Sequence, residues 1–132
     1  CCAAALKNID ILEREKLFDN VVEVGAYFEE QLQSLRDLPI VGDIRGRRFM
    51  MCVVNVMDKK EKTFFPPEVQ IAKRISGYAE ELGVIVRPVA DLNVMSPSLT
   101  MTRNDVDYVV TRLRQAIVRT IDDLVAEGYL AV

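Results

Sequence analysis

ELGVIVRPVADLNVMSPSLTMTRNDVD, residues 81–107, decides how the whole chain is read, because a single arginine closes an apolar run and a long helix follows. Val84, Ile85 and Val86 favour a strand, and Gly83 before them suits the end of a helix. Arg87 is the residue that needs explaining. A guanidinium among apolar residues is costly to bury, so it leans toward water or meets an anion. Pro88 bars the residue before it from helical geometry, which predicts Arg87 at the last position of a strand over Val84–Arg87. A fork of donors at a strand end suits a carboxylate. The plainer alternative is an ion pair with a nearby acid such as Asp91, or a stem that carries the charge to the surface.

Around this strand the same stretch predicts a short turn ending in Asp91 and a strand over Asn93–Ser96, with Leu99–Met101 a candidate for another. Pro97 breaks any long ladder between them. Thr102 followed by Asp105 reads as a capping box whose acid is shorter by one methylene. Val106, Val109, Leu113, Ile117, Ile121 and Leu124 then form the apolar stripe of a final helix that ends near Gly128.

Upstream, one helix is predicted from about Ala3 to about Arg14. A second starts near Leu17 and buries Phe18, Val21, Gly25, Phe28, Leu32 and Leu35 before Pro39 ends it. Ile40 to Arg48, with two glycines and three arginines, reads as an irregular approach to a strand at Phe49–Val56. That strand is apolar on both faces and belongs inside a sheet. Asp58 to Lys62 is a charged loop, and its lysines read as a solvated tip. Pro67 suits the first turn of a third helix, whose Val69, Ala72, Ile75, Ala79 and Leu82 face the core up to Gly83. The sum is an α+β fold: a single domain over residues 1–132, with a small, mainly antiparallel sheet and helices packed on one face.

Composition sets the outer bounds. A 132-residue chain that is 50% hydrophobic has the size and content of one globular domain. A net charge of −3 and a pI near 5.0 give no broad basic field, which weighs against nucleic acid as a partner. The longest apolar run, Phe49 to Val54, is far shorter than the roughly 20 residues of a membrane span. The chain therefore reads as soluble and cytoplasmic. Its three cysteines form no disulfide framework and no CxxC pair, so they are expected reduced, with Cys52 a small buried hydrophobe. Leu6, Ile9 and Leu12 already follow helical spacing with no methionine and no capping residue ahead, which predicts a piece of a longer polypeptide.

Several chemistries are excluded within the chain. With no histidine, Ser-His, Cys-His and His-based metal sites are impossible, and three unspaced cysteines make no structural zinc. There is no GxGxxG and no GxxxxGK[ST]. Adjacent acids at Glu29–Glu30, Glu80–Glu81 and Asp122–Asp123 diverge on their helices and read as solvated faces.

The order strand, Arg87-Pro88, a turn ending in Asp91, then SPSLTMT at 96–102 and an acidic helix start resembles the C-terminal part of class III aminotransferases. These are pyridoxal-phosphate enzymes that act on ω-amino acids and amines. CCAAALKNIDILERE at 1–15 resembles the helix after the family's His-Pro segment, and VGDIRGRRFMMCVVNV at 41–56 resembles its Val-Arg-Gly strand entry. The chain departs from the family at Arg48, where a second glycine is usual, and at Ser98, where a second proline is usual.

The resemblance implies the C-terminal small domain of such an enzyme, with pyridoxal 5'-phosphate as cofactor and a homodimer at full length. It implies that Arg87 binds a substrate carboxylate and swings aside for substrates that lack one. The Schiff-base lysine and the acid at the cofactor ring lie upstream of the matched part, in a large domain absent from this chain, so no catalytic or cofactor-binding residue is assigned here. The implied reaction moves an amino group from an amine or ω-amino acid to a small 2-oxo acid such as pyruvate. A stand-alone ligand-binding or regulatory module is the competing reading. An RNA-binding sheet would carry stacking aromatics, and Phe49 is the only strand aromatic.

Overall fold

The computed structural model describes residues 1–131. Its helices begin and end where local chemistry changes. α1 (Cys2–Arg14) stops at Glu15, and Lys16 takes a left-handed φ of 50° that turns the chain into α2 (Leu17–Gln33). α2 buries Val24, Gly25, Phe28 and Leu32 on one stripe, and a 3-10 turn over Ser34–Asp37 carries it on to bury Leu35. The second helix is thus shorter than its stripe predicts, because the last turn tightens before Pro39.

The approach at 40–48 is a strand rather than an irregular segment: β1 covers Val41–Arg47 and pairs antiparallel with β2 (Met50–Asn55). Two features hide it from the sequence. The register shifts between Val41 and Asp43, and Gly42 and Gly46 dilute the strand pattern. Only Val41 and Ile44 are buried along it.

After the 57–64 loop, a 3-10 turn at Pro67–Val69 precedes α3 (Ile71–Glu81), and a left-handed Gln70 separates the two. α3 ends at Leu82, and Gly83 follows at φ 83°. β3 (Arg87–Val89) and β4 (Leu92–Met95) form a hairpin closed by Ala90 and Asp91, with Ala90 at φ 50°. α4 (Arg103–Ala126) opens on the capping box, in which Thr102 and Asp105 each bond the other's backbone amide. Leu99–Met101 is not a strand; Met101 N–H instead closes a turn onto Ser98 O at 3.1 Å.

The sheet is wholly antiparallel in the order β1-β2-β4-β3. The chain leaves β2, crosses α3 to the far edge, and returns to fill the gap with β4. Ile44, Val53 and Asn93 align in register on the face under the helices, as do Met51 and Met95. α2, α3 and α4 pack over that face around Phe28, Ile75, Leu113 and Ile117, which are fully buried. Helices therefore cover one face, as the sequence predicts. α1 packs on α2 and buries none of its own residues.

Candidate functional site

The uncovered face of the sheet holds the candidate site. Arg45, Cys52, Val94 and Arg87 lie in one row across all four strands, each opposite the next. Alternation along a strand puts this row on the side away from Val53 and Asn93. Cys52 is half-buried here, not a core residue as its apolar run predicts, and Cys1 and Cys2 are exposed; all three thiols are free.

Arg87 opens β3 instead of closing a strand. Val84–Val86 lies outside the ladder and diverges from β4. Val84 and Val86 still turn inward to the core, while Ile85 stands 88% exposed between them. The divergence leaves a groove of about 620 Å³ whose lining includes Arg87, Ile85, Met50, Val94, Pro97 and Tyr108.

No carboxylate meets the Arg87 guanidinium among the described residues, so the ion pair with Asp91 does not form. Asp91 agrees: burial alone pushes its carboxyl up, as for an acid with no cation beside it. By contrast Arg45, in the same row, is tied to Asp43 at 2.8 Å. The Arg45 guanidinium holds the Asp43 carboxyl below the usual range, with Arg36 adding to the effect. The row thus carries one paired and one unpaired guanidinium.

The surroundings of Arg87 are apolar and bare. Met50 is 63% exposed and Val89 44% exposed. The 57–64 loop, with Phe64, Lys59 and Lys62, lines a second groove over the other end of this face, beside Val54 and Arg45. Lys59 has its amine bonded to Arg36 O at 2.7 Å, and burial pushes its pKa down.

A polar cluster lies on the helix side. Asn55 and Asn93 are fully buried. Asn55 Nδ2 donates to Asn93 Oδ1 and to Asp91 O, both at 2.8 Å. Asn93 Nδ2 donates to Ala72 O at 2.8 Å and to Ser76 Oγ at 3.2 Å, and Ser76 Oγ donates to Val86 O at 3.1 Å. The only sequence signal was two amides inside apolar strand runs.

Both departures from the family pattern fall at turns. Arg48 sits between β1 and β2 at φ 53°, a conformation that glycine adopts without strain. Its guanidinium is 3.2 Å from Glu29 Oε1, and its amide bonds the same oxygen. Ser98 takes the place of a rigid proline with a hydroxyl 2.7 Å from Thr100 Oγ1.

The chain thus presents a helix-backed antiparallel layer with an unpaired arginine on its bare face. The chain belongs to the class-III aminotransferase family, whose model matches residues 1–117. It is 37% identical over 130 residues to diaminobutyrate–2-oxoglutarate transaminase of Halomonas elongata, covering 96% of this chain and 28% of that one. It is 32% identical to adenosylmethionine-8-amino-7-oxononanoate aminotransferase of Methanocaldococcus jannaschii, covering 88% and 25%. The solved ω-transferase of Vibrio fluvialis JS17 superposes with a TM-score of 0.92 at 33% identity, over 95% of this chain and 30% of that one. The chain therefore spans less than a third of the length of these relatives.

The family uses pyridoxal phosphate. A Schiff-base lysine needs a partly desolvated amine in a pocket, and the six lysine side chains of this chain are exposed. Lys59, the only lysine whose pKa burial lowers, is engaged by a carbonyl. Among the described residues there is also no cluster fit for a metal and no helix long and apolar enough to cross a membrane.

Proposed function

We propose that this chain is the C-terminal small domain of a pyridoxal-phosphate-dependent aminotransferase and supplies the substrate-carboxylate anchor of its active site. The full enzyme moves an amino group from an amine or ω-amino acid to a small 2-oxo acid such as pyruvate. Its cofactor, Schiff-base lysine and proton transfers belong to a large domain of the same polypeptide. In this reading residues 1–132 form one domain of a cytoplasmic homodimer, and alone they hold no cofactor and are inactive.

The observation that carries the proposal is Arg87: a guanidinium with no acid of its own among the described residues, on the face of the sheet turned away from the helices. Desolvation by a covering domain would strengthen a bidentate pair between this fork and a carboxylate. Such a pair contributes about 1.5 to 3 kcal/mol, or roughly ten- to a hundredfold in acceptor use. When an amine without a carboxylate occupies the site, the flexible stem lets the guanidinium withdraw along the groove. The 2-oxoglutarate in the name of the Halomonas relative fits the same anchor, since it too presents a carboxylate beside its keto group.

The test is Arg87→Ala in the full-length enzyme. kcat/KM for pyruvate is expected to fall by roughly ten- to a hundredfold, with the KM of an amine donor that has no carboxylate little changed. Unchanged kinetics with pyruvate and with 2-oxoglutarate would remove Arg87 from the site. A yellow, pyridoxal-like absorbance from the 132-residue chain alone would contradict the assignment of the cofactor to the large domain.

A further inference from the structure

We propose that Ser76 and Asn93 are positioning residues that aim Arg87, an inference that rests on the carboxylate-anchor reading above.

The need for such a device follows from the hairpin. Arg87 is the first paired residue of an edge strand, and the three residues before it have left the sheet. A strand end of this kind frays unless something else holds it. α3 does so twice: Ala79 O accepts from Val84 N at 2.8 Å, and the Ser76 hydroxyl reaches the peptide next to Arg87. Ser76 Oγ donates to Val86 O and accepts from Asn93 Nδ2, so the hydroxyl proton is directed toward the Val86 carbonyl.

The target atom matters. The Val86 carbonyl and the Arg87 nitrogen share one planar peptide unit, so fixing the oxygen fixes the plane from which the Arg87 Cα emerges. On the other side Pro88 restricts Arg87 to extended geometry. Ser76 orients the peptide plane from which the Arg87 Cα emerges, and proline chemistry limits Arg87 to extended backbone, so the Arg87 Cα–Cβ direction is constrained from both sides. A long side chain that must find a carboxylate and release it gains from a fixed base, because less freedom is lost when the fork engages.

Asn93 supports this from beneath. It stands opposite Pro88 in the register, is fully buried, and is itself held by Ala72 O and by the Asn55 amide. Asn55 Oδ1 is buried with no partner, so the cluster carries a desolvation cost that an apolar pair would avoid. What the two asparagines deliver in return is a set of directed contacts ending at the residue before Arg87. An apolar core would pack β4 against α3 without choosing the orientation of that peptide.

The experiment uses the full-length holoenzyme, with pyruvate as acceptor and 1-phenylethylamine as a donor that has no carboxylate. Ser76→Ala is expected to raise the KM for pyruvate about two- to tenfold, leaving the amine KM unchanged. The dissociation constant of propionate, a non-reacting carboxylate followed by calorimetry, should rise by the same factor. Ser76→Thr, which keeps the hydroxyl, should restore both. In an Arg87→Ala background, Ser76→Ala should add nothing further to the pyruvate KM.

An equal loss for pyruvate and amine, a full additional loss in the Arg87→Ala background, or no loss at all would overturn the positioning role. If Arg87→Ala itself leaves pyruvate and propionate unaffected, the anchor reading fails first and takes this inference with it. If Arg87→Ala weakens both and Ser76→Ala weakens neither, only the positioning role fails.

Discussion

Gly25 and Arg48 pack so closely that a Cβ added to Gly25 would stand 2.8 Å from the Arg48 Cβ and 3.0 Å from its Cα. A side chain of α2 is thus excluded by the backbone of the β1–β2 turn, and that turn cannot retreat because Glu29 holds both the amide and the guanidinium of Arg48.

Gly25→Ala should therefore destabilise the protein by about 1 to 3 kcal/mol, the usual range for overpacking. Urea denaturation followed by circular dichroism measures this. Combining it with Arg48→Gly should recover part of the loss, because glycine removes the Cβ contact and suits the positive φ. Strict additivity of the two changes would show that they do not share this contact.

Thr102→Ala removes the acceptor for the Asp105 amide at the start of α4 and should cost about 1 kcal/mol. α4 carries Leu113, Ile117 and Leu124 into the core, so the loss should appear as a lower midpoint of one cooperative transition. Loss of helical signal without a midpoint shift would instead mean local fraying.

The two acids at the ends of this region should respond to pH in opposite directions. The Thr102 hydroxyl and amide hold the Asp105 carboxyl below its usual range, so its stabilising effect is present above the unfolded value of about 4. That effect is lost as pH falls through the lower folded value. Burial raises Asp91, so its charged form opposes folding, and this cost appears as pH rises through its folded value. Asp91→Asn should raise the urea midpoint at pH 7 and leave it unchanged near pH 3. Asp105→Asn should lower it at pH 7 and have no effect well below the folded value. A midpoint for Asp91→Asn that falls at pH 7 would reverse the sign argued here.

Arg87→Lys separates geometry from charge. Lysine keeps the charge but offers no planar fork, so in the full-length enzyme pyruvate use should stay well below wild type. Full activity with lysine would mean that a point charge suffices at this position.

Much of this architecture was legible before any coordinates. The 3.6-residue stripes located the helices, and Thr102 with Asp105 marked the start of α4 to the residue. A strand apolar on both faces pointed to a place inside a sheet with at least one face under helices, and the order of helices and strands to the α+β class. β1 was not legible, because Gly42, Gly46 and three charged residues suppress the strand pattern and a register shift breaks its alternation. The strand at Arg87 was displaced by three residues. Val84–Val86 has the composition of a strand but pairs with nothing in the sheet, which only the register reveals. Arg87 could be singled out by its apolar neighbours, whereas Ser76 could not: a serine on a helix gives no sign of the distant carbonyl it bonds.

Pro88 has a further consequence for the molecule in company. β3 lies at the rim of the sheet, where an unbroken line of backbone donors would invite a strand from another molecule to dock. A residue lacking its amide hydrogen, set in the middle of a three-residue rim, interrupts that line. The same ring that stiffens Arg87 also deters self-association along its margin, leaving the guanidinium accessible to small solutes.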